Sequence, residues 1–301
     1  MINYTDTAWM LIATALVMIM TPTLAFFYGG LVRKKNILSV LMQTFVILSV
    51  ISLQWILFGY SFAFGPDLGG VIGSLDFAGL RGVGMEPISG QTIPHQVFML
   101  FQMMFAVITP ALIIGAFVER IKFSGFLLFA LLWTTFIYDP MAHWVWSPDG
   151  WLAKLGALDF AGGTVIHILA GISALLMAIM LGRRDGLPNG HAPHNLPLAV
   201  LGAGFLWFGW FGFNAGSALA VGPVTVSAFL NTNTAAAAAG VTWMLMDWIE
   251  NKVPTMLGVI TGIVAGLVAI TPAAGYVKPM AAIAIGASGS IVGFIFVTKI
   301  K

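Results

Sequence analysis

The chain has 301 residues, 59% of them hydrophobic and only 8% charged, with a net charge of +2. Soluble domains carry roughly a quarter charged residues, so this composition excludes a soluble globular protein. The 301 residues contain no cysteine, which excludes disulfides, thiolate metal sites and cysteine nucleophiles within them.

The apolar residues come in runs of about 17 to 29, each long enough to cross a hydrocarbon core of about 30 Å as a helix. Nine spans are predicted, over about 8–30, 37–65, 95–118, 123–146, 160–182, 196–218, 224–249, 254–271 and 277–298. The gaps hold the turn formers and nearly all the charges. Met1 to Trp9 include Asp6 but no Lys or Arg, so they lack the basic region of a signal peptide, and the first run reads as a true span.

The basic residues alternate between loops. Arg33, Lys34 and Lys35 follow span one, Arg120 and Lys122 span three, Arg183 and Arg184 span five, Lys252 span seven, and Lys299 and Lys301 span nine. That places ten of the 13 basic residues on one side and leaves Arg81, Lys154 and Lys278 on the other. The positive-inside rule then puts the N-terminus outside and the C-terminus in the cytoplasm. An unbroken alternation over nine spans also supports the count. The expected class is therefore an all-α polytopic membrane protein, a helical bundle in a single domain over 1–301.

Trp144, Trp146, Trp151 and Tyr276 fall at outer ends or loops and read as an interfacial belt. Gly258, Gly262 and Gly266 recur every four residues, as do Gly212 and Gly216, a spacing that lets neighbouring helices approach closely.

Charged and histidine side chains inside a membrane are costly, so the few present are candidates for function. Asp159 opens span five at its outer mouth, and His167 lies eight residues deeper, roughly 12 Å at about 1.5 Å per residue. Asp159 suits a helix cap, accepting the free N–H groups of the first turn, and equally an acid that attracts cations. Gly163, His167 and Gly171 are four apart, so the imidazole is expected in a stripe with almost no side chain above or below it. It either lines a pathway or packs as a satisfied core histidine.

On span six, Trp210, Phe213, Asn214 and Ser217 share a face at helical spacing. Phe101 and Phe105 lie one turn apart in the outer third of span three, and Trp146 ends span four on the outer side. Aromatics there are commonly lipid-facing or core filler. Combined with a hydroxyl, a carboxylate and a histidine in the same half of the bilayer, they also suit a small cation. Aromatic faces attract it by about 2 kcal/mol or more when desolvated, and Ser217 can accept a hydrogen bond from it.

Six strings in these spans and their loops resemble the ammonium transporters of the Amt/Rh class. They are AFFYGGLVR from Ala25, GAFVERI from Gly115, GALDFAGGTVIH from Gly156, PHNLP from Pro193, GWFGFNAGS from Gly209 and GLVAITPAAG from Gly266, in the family's order from span one to span eight. The resemblance implies a homotrimer in the lipid bilayer, with one pore per subunit. It implies an outer recruitment site of Phe101, Trp146 and Ser217, a gate of two stacked phenylalanines, Phe105 and Phe213, below it, and His167 as the first of two facing pore histidines. Asp159 matches the family's outer acidic residue. Ammonium would be stripped of water at the aromatic site, release its proton and cross the apolar pore beside the histidines, whereas potassium can neither hydrogen-bond nor deprotonate. The intact Phe–Trp–Ser set is similar to the Amt branch rather than to rhesus-type gas channels.

Family members have eleven spans, built as two inverted five-helix repeats and a final helix, with the partner histidine on the tenth. The sequence ends at Lys301 after nine, and its other histidines do not substitute: His95 and His143 lie near the outer surface, His191 and His194 in a cytoplasmic loop. The expectation is a chain truncated at its C-terminal end.

Two functions follow from the resemblance: a channel-like transporter of ammonium, ammonia or methylammonium, or an Amt-like ammonium sensor coupled to a cytoplasmic signalling domain. The expected protein partners are a trimeric PII-type regulator or a fused signalling domain. With no thiol and no paired carboxylates within a span, no enzyme is expected, and no cofactor, metal or nucleic acid enters this reading.

Overall fold

A computed structural model describes residues 1–184 and 193–299, so His191 and Lys301 lie outside the described residues. Nine long helical segments account for most of the described chain. α1 spans Tyr4–Leu31, opened by Asn3, whose side chain accepts the Thr5 and Asp6 N–H groups. α2 spans Ile37–Gln54 and continues through Trp55–Gly59 to Tyr60–Phe64. α3 spans His95–Leu112, with a further turn at Ile114–Phe117. α4 runs from Phe123–Trp133 through Thr134–Tyr138 to Asp139–Trp146. α5 comprises Gly163–Ile168 and Leu169–Leu181. α6 spans Leu196–Gly216, α7 Pro223–Asn251, α8 Met256–Ile270 and α9 Pro279–Thr298.

Seven of these are both long and apolar enough to cross a membrane, among the described residues. α8 is apolar but has 15 residues. α7 has 29 residues, but Asn231, Asn233 and a series of threonines dilute its apolar character. Those polar groups are used between helices. Asn231 Nδ2 donates to the Ala274 and Val277 carbonyls at 2.9 and 2.7 Å, and Thr232 Oγ1 accepts from Asn214 at 2.9 Å.

The glycine spacing seen in the sequence marks tight helix contacts. A Cβ on Gly212 would lie 2.5 Å from Leu16 of α1, and one on Gly266 would lie 2.4 Å from the Ala239 side chain of α7. Only glycine lets these backbones meet, and the buried surface so gained is held by dispersion.

Loops assigned to one side by their charges touch one another. On the basic side, Arg33 grips Glu119 with two bonds, of 2.8 and 2.6 Å, and Asn36 donates to the same carboxylate. The Arg33 guanidinium and the Asn36 amide hold the Glu119 carboxyl below its usual range. Arg184 reaches the Gly115 carbonyl at 2.6 Å, and Arg120 the Gly182 carbonyl. On the other side, Asp6 accepts from the Thr92 hydroxyl at 2.5 Å and the Val221 N–H at 2.8 Å, joining the start of α1 to the loops before α3 and α7.

The sequence pattern predicts no element between spans two and three. The structure forms a short antiparallel hairpin there, β1 (Asp67–Leu68) with β2 (Ile72–Gly73). His143 of α4 anchors it, with Nε2 2.9 Å from Asp67 Oδ1 and Nδ1 3.0 Å from the Ala63 carbonyl. The His143 bond holds the Asp67 carboxyl below its usual range.

Candidate functional site

α5 begins with a local anomaly that sets the site. Gly162 adopts φ of +106°, a left-handed conformation open to glycine, and turns the chain into the helix. Asp159 sits ahead of that turn, 7% exposed, and both carboxylate oxygens are occupied. Oδ1 accepts the Gly162 and Gly163 N–H groups at 2.9 and 2.6 Å; Oδ2 accepts those of Thr164 and Val165 at 2.7 and 3.1 Å. The geometry is that of a cap serving four donors in succession, where an ordinary N-cap side chain satisfies one of the four.

The first turn is then π-helical over Gly163–Ile168, and the His167 N–H bonds the Gly162 carbonyl at 3.1 Å, five residues back. This corrects the expected stripe. With the wider turn, Gly163 and His167 are not stacked at α-helical spacing. Gly163 instead faces Pro272, where a Cβ would come within 2.4 Å, while Gly171 faces open space.

The ends of α3, α4 and α6 on the side away from the basic loops, the outer side by the charge rule, enclose a cavity of about 340 Å³ lined by Phe105, Trp146 and Ser217, together with Tyr60, His95 and Gln102. Trp146 is no member of an interfacial belt: it faces this cavity, and its indole N–H donates to the Asp159 backbone carbonyl at 3.1 Å. Tyr276 stays 55% exposed, as the interfacial reading expects, with its ring edge-on to Phe160 at 5.2 Å between centroids and its hydroxyl pKa raised by partial burial and secondarily by the Asp159 charge. Ser217 Oγ donates to the Phe213 carbonyl at 2.9 Å, which spends its proton and leaves its lone pairs as acceptors.

Phe101 does not line the cavity. It is fully buried behind Phe105, edge-to-face at 4.8 Å, and against Gly216. Phe105 and Phe213 meet edge-to-face, 4.7 Å apart at 87°, rather than as stacked rings. Both are closed off from the surface.

Beneath them lies a second, apolar cavity of about 50 Å³, lined by Phe213, His167, Trp210, Leu24, Ile108 and Val268 among others. His167 stacks on Trp210 (5.5 Å, 21°) and on Phe213 (5.7 Å, 18°). Its Nε2 is buried with no hydrogen-bond partner among the described residues. Trp210 is fixed in turn by its N–H to Thr271 Oγ1 at 2.9 Å. Asn214, expected on the face with Phe213 and Ser217, turns away to Thr232 of α7.

The structure thus groups Phe105, Trp146 and Ser217 at one cavity and Phe213 and His167 at the next, with Asp159 and Phe101 as supports. His95, Gln102 and Tyr60 join the cavity without having been marked by the motifs. Their signal was available, polar side chains on the outer turns of α2 and α3, but nothing in their spacing distinguished them. Among the described residues, no group of three or more His, Asp or Glu side chains could hold a metal ion.

The model of the Ammonium Transporter Family matches residues 8–301. The ammonium transporter of Bacillus subtilis is 54% identical over 298 residues, covering 98% of this chain and 73% of that protein. The crystal structure of Saccharomyces cerevisiae Mep2 superposes with a TM-score of 0.91 at 40% identity, over 96% of this chain and 66% of that one. A solved structure described as a sensor Amt protein gives 0.90 at 36% identity, over 97% and 75%. The chain therefore spans about two thirds to three quarters of the length of these relatives. With its bundle of apolar helices and these matches, the chain belongs to the ammonium transporter family, multi-pass proteins of the cell membrane that are transporters rather than enzymes.

Proposed function

We propose that this chain is the pore-bearing part of a channel-like ammonium transporter. The observation that carries the reading is the pair of cavities bridged by the Phe105–Phe213 contact, Phe105 lining the first and Phe213 the second. The outer one presents what a small N–H cation needs. Trp146 and Phe105 offer aromatic faces worth about 2 kcal/mol in a desolvated site, and the Ser217 oxygen, its proton already committed to Phe213, accepts an N–H bond. Potassium has no N–H to offer that oxygen. Phe101 holds Phe105 from behind.

The inner cavity has no charged group in its lining and is too narrow for a hydrated ion. A species entering it must shed water, and its proton is best left outside, since an isolated charge in an apolar medium costs far more than a neutral amine. Of the polar side chains in its lining, Tyr28 donates to the Leu112 carbonyl and Trp210 to Thr271, and His167 keeps an unspent nitrogen. Its unpartnered Nε2 has the lone pair or proton with which a neutral ammonia molecule can bond. The homotrimer and a PII-type regulator belong to this reading as expected partners.

The test is uptake of labelled methylammonium into proteoliposomes holding the full-length protein. Saturable uptake that ammonium suppresses and potassium does not is expected. Absence of flux from correctly assembled protein overturns the reading. The likeness to the sensor Amt structure favours a second one, in which ammonium is bound and a cytoplasmic signalling domain responds. It predicts saturable binding without flux.

A further inference from the structure

The outer cavity has a polar wall that recruitment by Trp146 and Ser217 leaves unused. His95 opens α3 on that wall, 9% exposed, with Nε2 2.5 Å from the Tyr60 hydroxyl. The phenol is the natural donor in this pair, which puts the ring proton of a neutral imidazole on Nδ1. That nitrogen makes no hydrogen bond among the described residues. If Nε2 takes a proton, the bond reverses and the Tyr60 oxygen accepts, so His95 can change charge without losing its partner.

We propose that His95 is a proton-binding residue of the outer cavity, whose charged form places a positive charge beside Trp146 and Ser217 and weakens recruitment of ammonium. The inference rests on the transport reading. What faces the imidazole leaves such a charge uncompensated. From the end of α2 comes Tyr60, and from the loop that follows it Phe77, edge-on at 5.3 Å. From the loop before α3, Glu86 gives its backbone carbonyl to the His95 N–H at 3.2 Å while the residue itself is exposed. Gln102 of α3 and Ser217 at the end of α6 share the cavity as neutral groups. Among the described residues no carboxylate pairs with His95. The α3 N-terminus adds its own partial positive charge at the same end.

The two cations would stand across a cavity of about 340 Å³. At an effective dielectric of about 20 their repulsion is of the order of a tenfold change in affinity.

Methylammonium uptake by the full-length protein in proteoliposomes, measured across external pH of about 4.5 to 7.5, tests this. The expected result is an apparent KM that rises about tenfold toward acid with a smaller change in maximal rate. His95→Gln, which keeps a hydrogen bond to Tyr60 without titrating, should hold KM within about twofold over the same range. Tyr60→Phe, which keeps the imidazole and removes its partner, should displace the midpoint, and it decides the case if the glutamine variant fails to assemble. A His95→Gln protein with the full acid rise in KM, or a Tyr60→Phe midpoint identical to wild type, overturns the inference while leaving transport intact. Absence of uptake from the wild type at every pH overturns transport itself, and this inference with it.

Discussion

The indole N–H of Trp146 donates to the backbone carbonyl of Asp159 across 3.1 Å. One wall of the outer cavity is thereby fastened to the residue whose side chain starts the helix of His167. Asp159 thus joins the cavity wall to the start of α5, so substitutions at either residue are expected to disturb both.

Asp159→Asn tests the cap. An amide offers one acceptor oxygen where the carboxylate serves four N–H groups with two, and its NH₂ would face two donors. Charge-assisted bonds of this kind are worth about 1.5–3 kcal/mol each, and the variant should lose about 3 kcal/mol. The purified protein should unfold at a lower temperature, with uptake falling in step with the folded fraction. A variant of wild-type stability that has lost uptake would instead assign Asp159 to cation attraction.

His167→Phe separates pathway from packing. The ring already stacks on Trp210 and Phe213, and its Nε2 satisfies no partner, so a phenyl ring should fit at no cost in stability. Uptake rate or selectivity between ammonium and methylammonium should nevertheless change severalfold. Unchanged flux from a stable variant would make His167 a packing residue.

Two glycines of the same helix should respond in opposite ways. Gly163→Ala drives a methyl group into Pro272 and should cost about 1–3 kcal/mol by overpacking. Gly171→Ala meets nothing within 4 Å and should be tolerated or slightly stabilising. Thermal unfolding of the two variants compares them directly.

The outer hairpin should loosen in acid. The Asp67 carboxyl titrates below its usual value because of the His143 bond, so its contribution is present above about pH 4, the unfolded carboxyl range, and is lost as pH falls through the depressed value. Hydrogen-exchange protection of residues 67–73, measured against the intrinsic rate at each pH, should fall on acidification below about pH 4 in the wild type. Asp67→Asn should show low protection throughout and no acid transition.

The bundle was legible in the sequence because its determinants are one-dimensional. Hydrophobic runs, alternating basic loops and the four-residue glycine spacing each survive without knowledge of neighbours, and the helices fall within a few residues of the expected spans. The family strings carry Phe213, Ser217 and His167, whereas Phe105 and Trp146 lie outside them and were expected from the wider resemblance and their place on spans three and four. What was not legible depends on a third dimension. The π turn at Gly163–Ile168 has no residue signature of its own; it follows from Asp159 holding four N–H groups, and it rotated His167 off the expected stripe. Asn214 and Phe101 had the right periodicity for the cavity but found partners elsewhere, Thr232 in one case and the back of Phe105 in the other. Trp146 looked interfacial by depth alone, and His95 looked superficial, until α2 brought Tyr60 against it.

The most direct test of the central claim, that ammonium enters through the outer cavity, uses the absence of cysteine from these 301 residues. Ser217→Cys adds a thiol at the acceptor position with little change in size, and the protein without the substitution, treated alike, is the control. Uptake of labelled methylammonium is then measured before and after a membrane-impermeant thiol reagent is added on the outer side. The account predicts that modification abolishes uptake and that ammonium, but not potassium, slows the modification. Complete modification of the thiol with uptake unchanged would contradict it.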